Sequence, residues 1–370
     1  MTDDRRFGRK ADRPLDRRAA HDPCSADEPL LSPDRRRVLR TASTLVAGAT
    51  LAQSLRQAAH AQDARPAPAA PAGPLEIAGF ERVRVKTSDG TMIQAAVSNG
   101  DRKRPALLLL HGAPLTHYTW REVAPELAKR YTVVAADLRG YGDSDQPQGL
   151  PDHSNYSKRA MALDQVDVMK HFGFDSFAVV GQDRGGRVAH RMALDHPARV
   201  TKVAFLDIVP THHVLNNIKK AWAVDSYHWF FMAQPYDYPE QMLIAYGLER
   251  YIRKKLDKPG VGMSAFTPEA LAEYIRCCTP ENIHAVCEDY RATVSIDLEH
   301  DAADLDVKLA MPVLVLWGER SHVNRSYRPL EAWRERASDV RGRMLPCGHY
   351  PAEQVPDETC AELLSFLRPT

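Results

Sequence analysis

The chain has 370 residues, with 49 lysine and arginine side chains against 48 aspartate and glutamate and a formal net charge of +1. Its length accommodates one large domain with an insertion or two modest ones, and the even charge balance gives no ground for nucleic acid or an acidic membrane surface as a partner. Hydrophobic residues at 44% and charged residues at 26% are what a soluble globular protein carries.

The charge is unevenly spread, and the first forty residues are crowded with arginine. Asp34-Arg35-Arg36-Arg37-Val38-Leu39-Arg40 precedes an apolar run over residues 41–55. This order resembles a bacterial twin-arginine export signal with Arg35 and Arg36 as the pair, although Asp34 stands where Ser or Thr is usual and Val38 where Phe is common. Ala59-His60-Ala61 supplies an A-x-A cleavage pattern. The apolar run is too short and too rich in alanine to serve as a permanent membrane anchor. Residues 1–61 are therefore expected to be a signal peptide that sends the protein to the periplasm. A cytoplasmic protein with a basic extension is the alternative. Residues 62–79 open on an Ala- and Pro-rich stretch and read as a flexible linker, with the working protein starting near Leu75.

From residue 80 onward, β-rich runs alternate with helical patterns, which is the sequence form of an α/β sheet with helices on both faces. The expected strands are Glu81–Thr87, Met92–Ser98, Ala106–Leu110, Thr132–Ala136, Phe177–Val180, Val203–Leu206, Pro312–Trp317 and Gly342–Leu345. Helices are expected over Ser157–Phe172, around Leu330–Ala337 and over Glu358–Leu367. Between Pro210 and Leu305 strand signals vanish and the segment reads as helical and rich in aromatics. The expected organisation is a core over 80–209 and 306–370, interrupted by a helical cap over 210–305.

The cysteines are Cys24, Cys277, Cys278, Cys287, Cys347 and Cys360, and no CxxC pair suggests a zinc site. A disulfide from Cys287 to Cys277 or Cys278 stays open at this level.

Gly181-Gln182-Asp183-Arg184-Gly185 lies between a strand and a helix and has the G-x-nucleophile-x-G form of a strained turn. The flanking glycines allow the sharp bend and a close helix approach. An aspartate at the tip could instead cap the following helix. As a nucleophile, its carboxylate suits in-line displacement at a saturated carbon, leaving an alkyl ester open to hydrolysis. The leaving group would then be a halide or an epoxide oxygen. Ester hydrolysis needs a base, and of the 15 histidines His349 alone follows the last expected strand. Its carboxylate partner is expected at Asp207, with Glu319 as the fallback, because the loop Gly318-Glu319-Arg320-Ser321-His322 has no aspartate. His111-Gly112-Ala113-Pro114 would supply the N–H of Ala113 to the oxyanion, and Arg184 a second N–H. These features mark the α/β-hydrolase fold, with a mostly parallel central sheet.

From about Arg82 to Leu367 the chain resembles the fluoroacetate (haloacetate) dehalogenases. The likeness rests on Asp137-Leu138-Arg139-Gly140-Tyr141-Gly142, Asp183-Arg184-Gly185-Gly186-Arg187, Leu206-Asp207-Ile208-Val209-Pro210-Thr211, Tyr227-His228-Trp229-Phe230 and Cys287-Glu288-Asp289-Tyr290-Arg291-Ala292. It implies Asp183 as nucleophile, His349 as base and Asp207 as its partner. It further implies that Arg184 and Arg187 hold a substrate carboxylate, and that His228, Trp229 and Tyr290 donate hydrogen bonds to a departing halide. Neither a metal nor an organic cofactor is implied, and a homodimer is what the family suggests.

Two positions depart from the family, which has an aromatic residue at Ala113 and a histidine at Gln182. The first is expected to widen the pocket, the second to change how the elbow is supported. The leading expectation is hydrolysis of a short 2-haloacid. Epoxide hydrolysis through the same ester is the alternative, and a carboxylate-binding protein with weakened catalysis is the third reading.

Overall fold

The computed structural model describes residues 73–368. The twin-arginine segment, the cleavage pattern at Ala59-His60-Ala61, Cys24 and the linker as far as residue 72 lie outside the described residues. The end of the expected linker enters the fold, where Ile77 is buried in an apolar cluster with Phe80 and Ala96.

Eight strands form one sheet: β1 (Phe80–Lys86), β2 (Met92–Ser98), β3 (Ala106–Leu110), β4 (Thr132–Ala136), β5 (Phe177–Gln182), β6 (Val200–Leu206), β7 (Val313–Gly318) and β8 (Val340–Leu345). Their order is β1-β2-β4-β3-β5-β6-β7-β8. The β1–β2 and β2–β4 pairs are antiparallel, and β3 through β8 run parallel. Strands β3 and β4 are buried at every position. Covered on both faces, they read as continuous apolar runs instead of alternating ones.

Helices α1 (Ala124–Ala128), α2 (Lys158–His171) and α3 (Arg184–Asp195) connect the first half of the sheet. Between β6 and β7 come α4 (Thr211–Asn216), α5 (Lys220–Asp225), α6 (His228–Met232), α7 (Tyr238–Tyr246), α8 (Leu248–Leu256), α9 (Pro268–Arg276), α10 (Pro280–Val294) and α11 (Ile296–Ala303). This insertion contains no strand among the described residues. Helices α12 (His322–Ser326) and α13 (Pro329–Arg334) follow β7, and α14 (Pro351–Gln354) and α15 (Pro356–Leu367) follow β8. Cys277, Cys278, Cys287, Cys347 and Cys360 are buried free thiols, so the disulfide left open by the sequence does not form.

Two strands start earlier than the sequence pattern indicates. Strand β6 begins at Val200 because Thr201 and Lys202, polar and partly exposed, extend its pairing without an apolar signal. Strand β8 begins at Val340 and is largely exposed along its length, as the edge of a sheet allows.

The chain leaves β3 towards β4 on one side and takes up β5 on the other, so the sheet order reverses between β3 and β5. Open α/β sheets bind ligands at the carboxyl ends of strands beside such a point. The β5–β6 register pairs Gln182 with Leu206, which brings the next residues, Asp183 and Asp207, to the same edge. Behind that edge Phe205 stacks on Trp333 with centroids 3.8 Å apart, and the Trp333 indole N–H donates to the Ile208 carbonyl at 2.9 Å. Such a stack contributes about 0.5–1.5 kcal/mol beyond its buried area.

The elbow demands glycine at 181. A Cβ there would lie 2.4 Å from the Gly185 carbonyl oxygen and 2.6 Å from the Gly186 Cα, both backbone atoms that cannot swing aside. Gly181→Ala is expected to cost about 1–3 kcal/mol by overpacking, seen as a lower urea midpoint at unchanged slope. An unchanged midpoint would mean that β5 and α3 can separate at no cost.

Candidate active site

Asp183 stands at the turn from β5 into α3 with φ +47° and ψ −115°. A non-glycine residue in this region carries strain of order 1–3 kcal/mol. The turn is held by the Asp183 N–H on the Leu206 carbonyl at 3.2 Å and the Gly185 N–H on the His111 carbonyl at 2.9 Å. The Asp183 side chain makes no capping bond to α3, which removes a helix-cap role. Gly112 lets the loop after β3 come close, since a Cβ there would sit 2.5 Å from the Asp183 Cβ. The adjoining Ala113 N–H donates to Asp183 Oδ2 at 3.3 Å.

His349 lies on the loop after β8. Its Nδ1 is 2.6 Å from Asp207 Oδ2, and its Nε2 is 3.8 Å from Asp183 Oδ2, within ion-pair range but too long for a hydrogen bond. Asp207 is fully buried and also left-handed, at φ +51°, and its Oδ1 accepts the Gly318 N–H at 3.0 Å. The loop without an aspartate thus contributes a backbone donor to Asp207, while Glu319 on the same loop is exposed. Burial works against ionisation of Asp183 and Asp207. The interaction with His349 outweighs it and holds both carboxyls below their ordinary range, with Lys258 and Arg184 adding to the effect on Asp183. Gln182, buried, donates from Nε2 to the His349 carbonyl at 2.9 Å and ties the elbow to the loop bearing the histidine.

A small cavity opens on this group, with Asp183, Arg187, His228, Trp229, Lys258 and His349 among its walls. Arg187 is buried and donates to the Val209 carbonyl at 3.3 Å and Thr211 Oγ1 at 2.9 Å. It forms no salt bridge among the described residues. Burial and the adjacent Arg184 charge bring its pKa down to about 10. Arg184 behaves differently. Its Nε donates to Asp289 Oδ2 at 2.7 Å and its Nη2 to the Asp289 carbonyl at 2.9 Å, leaving Nη1 without a partner. The structure therefore puts Arg187 on the cavity wall and Arg184 in an internal ion pair.

His228, Trp229 and Tyr290 come together, with the Tyr290 ring 5.7 Å from His228 and 6.0 Å from Trp229. None of their side-chain N–H or O–H groups is hydrogen-bonded among the described residues. Burial, then the Lys255 and Lys258 charges, keep the His228 ring neutral. Burial pushes the Tyr290 phenol up, so it remains a donor. Tyr290, Arg184 and Ala113 are not among the cavity walls. The Ala113 position thus brings a backbone N–H to the site.

Sequence reasoning missed three groups. Lys258 and His322 line the cavity and an adjoining one that also touches His228 and His349. The His322 ring lies 5.2 Å from that of His349, and burial, then the charge of His349, take its pKa down to about 3. Asp207, His322 and His349 converge closely enough for a metal ion. The 2.6 Å Asp207–His349 contact, however, is that of an acid–base pair and closer than two ligands of one ion sit. The third group is Asp289, which binds Arg184 and Lys158 and accepts the Tyr141 hydroxyl at 2.7 Å. Its motif was visible in the sequence, but its role was not.

Burial opposes ionisation of Asp289, yet the Arg184 and Lys158 charges prevail and hold its carboxyl far below the usual range. A carboxylate with a depressed folded pKa contributes stability above its unfolded pKa and loses it as pH falls. Asp289→Asn, which leaves buried Arg184 without its acidic partner and Lys158 with Asp297 alone, is expected to cost about 3–5 kcal/mol at neutral pH. The gap to the wild type should narrow below about pH 4. Urea midpoints at the two pH values test this, and a gap that does not change with pH would disprove it.

The alpha/beta hydrolase fold family matches residues 105–243. Over 290 residues, 78% of this chain and 94% of the relative, the chain is 43% identical to a fluoroacetate dehalogenase of Burkholderia sp. It is 35% identical to a soluble epoxide hydrolase of Corynebacterium sp. (strain C12), over 71% of this chain and 90% of that protein. Among solved structures, a Nostoc sp. PCC 7120 protein described as an α/β hydrolase shares 51% identity at a TM-score of 0.77, covering 80% of this chain and 100% of its own. By its sheet order, its helical insertion and this similarity, the chain belongs to the α/β-hydrolase family.

Proposed function

We propose that the protein hydrolyses a short 2-haloacid, of the fluoroacetate or haloacetate type, to the 2-hydroxy acid and halide through an ester on Asp183. The observation that carries this reading is Arg187, a buried guanidinium on the cavity wall with no acidic partner among the described residues. An uncompensated buried charge costs several kcal/mol, and a substrate carboxylate supplies the missing counter-charge. The 43% identity to a fluoroacetate dehalogenase supports the same chemistry.

In the first step a carboxylate oxygen of Asp183 bonds to the carbon bearing the halogen, and the carbon–halogen pair leaves with the halide. Arg187, with the free Nη1 of Arg184, orients the substrate carboxylate. His228, Trp229 and Tyr290 donate to the developing anion. In the second step His349 takes a proton from water, and the resulting hydroxide adds to the ester carbonyl of Asp183. The tetrahedral oxyanion accepts the Ala113 and Arg184 N–H groups. Its collapse expels the product alkoxide, which takes the proton from His349, and the proton of the new carboxyl group passes to solvent. Asp207 fixes the imidazole tautomer and stabilises the imidazolium.

Epoxide hydrolysis is the second reading, supported by the 35% identity to a soluble epoxide hydrolase. Asp183 would open the ring and Tyr290 would protonate the oxygen. Incubation with fluoroacetate, chloroacetate, 2-chloropropionate and styrene oxide separates the two. Halide release supports the haloacid reading, and diol alone supports the epoxide one. Asp183→Asn should lower turnover by more than about 10^3-fold, and full activity in that variant would remove Asp183 as nucleophile. Arg187→Gln should raise KM for the haloacids by about tenfold or more and leave any diol formation unchanged.

A further inference from the structure

Lys255 is a buried cation that this chemistry does not yet use. On α8, Leu248, Ile252 and Lys255 recur at i, i+4 and i+7, which puts the lysine on the face shared with apolar residues. The side chain is buried, its Nζ has no hydrogen-bond partner among the described residues, and it lies 5.9 Å from the Tyr290 ring centroid. The charged and titratable groups facing it are Lys258, Asp183, Arg184 and His228. His228 is neutral and the charge of Arg184 is already met by Asp289. Asp183 is the single acid in this set, and displacement consumes its negative charge.

We propose that Lys255 completes the leaving-group pocket as a positioning residue, its ammonium set against Tyr290 and beside His228 to stabilise the negative charge that departs with the halide. The proposal rests on the haloacid reading above. Before displacement the negative charge resides on Asp183. As the new carbon–oxygen bond forms, the electron pair of the breaking bond carries that charge to the halide among His228, Trp229 and Tyr290. A cation beside those donors gains attraction as the charge moves, so it favours the transition state over the ground state. Contact with the π face also polarises Tyr290 and strengthens its O–H as a donor. Fluoride, the poorest leaving group among the halides, needs this help most, which makes Lys255 a determinant of halogen preference.

Burial and the Lys258 charge hold the Lys255 ammonium well below the usual lysine range. Defluorination should therefore fall as pH rises through that depressed value, earlier than an ordinary lysine would dictate. Full-length wild type, Lys255→Met and Lys255→Arg are compared for halide release from fluoroacetate and bromoacetate between about pH 6 and 10. Lys255→Met is expected to lower kcat on fluoroacetate by about tenfold or more, to change bromoacetate by less than about threefold, and to leave KM within about twofold. Lys255→Arg should restore most of the defluorination and remove the alkaline fall, because a guanidinium stays charged. An equal loss on both substrates, or an arginine variant as impaired as the methionine one, would overturn the proposal.

If the wild type released no halide at all, the haloacid reading would fail, and equilibrium binding would still decide the role of the lysine. Bromide titration read by tryptophan fluorescence, with Trp229 in the pocket, should show a half-saturation about tenfold higher in Lys255→Met. Equal half-saturation in the two proteins would overturn the proposal.

Discussion

The site depends on one buried carboxylate, Asp289. It lies on α10 of the insertion and binds Lys158 at the start of α2, Arg184 at the start of α3 and Tyr141 on the loop after β4. One buried side chain thus joins the insertion to three separate parts of the core. Removal of such a partner is far costlier than the net worth of the pair, because the cations left behind stay buried. The same contact decides which arginine meets the cavity. Arg184 is neutralised within the protein, and Arg187, one turn further along α3, keeps an unmet charge on the cavity wall.

Once Asp289 has absorbed Arg184 and Lys158, the charges around the cavity can be weighed. Asp183 and Asp207 are the acids, and Asp207 is committed to His349. Arg187, Lys255 and Lys258 have no acidic partners among the described residues, and burial works against the charged forms of both lysines as it does against those of His228 and His322. The positive excess favours an anion in the space between them. Lys258 also lines the adjoining cavity, where Arg325 is already paired with Asp225 at 2.8 Å. A neutral epoxide would draw little from such a field, whereas a haloacid would use it both on arrival and as charge passes to the halide.

Much of this could be read in the sequence because it rests on local constraint. Strands β3 and β4 are nearly uninterrupted apolar runs, and the elbow is bounded by glycines at which a Cβ would press on backbone atoms. Asp207 was expected from its place at the end of a strand, and the structure sets it 2.6 Å from His349 while Glu319 is exposed. The groups that escaped are those whose meaning comes from distant partners. Asp289 and Lys158 are 131 residues apart, and neither announces the other. Lys255 left a trace, because it occupies an apolar-face position of α8, yet a lysine at a helix end is more readily taken as solvated. His322 gave no signal at all, since its place beside His349, half-buried, follows from how the loop after β7 folds.

The two left-handed aspartates give the site its direction. Asp183 and Asp207 end neighbouring parallel strands with nearly the same φ, +47° and +51°, and so present their carboxylates to one imidazole from two sides. The closer one, Asp207, lies 2.6 Å from Nδ1 and favours a proton on that nitrogen. The other ring nitrogen, Nε2, lies 3.8 Å from Asp183 Oδ2, too far for a hydrogen bond. A histidine so held has no direct bond to the free carboxylate, and in the proposed reaction it would act on a water beside the Asp183 ester. In the reaction proposed above, this separation suits a base that acts once the Asp183 ester has formed, and the register that sets Gln182 opposite Leu206 brings the two aspartates to one edge.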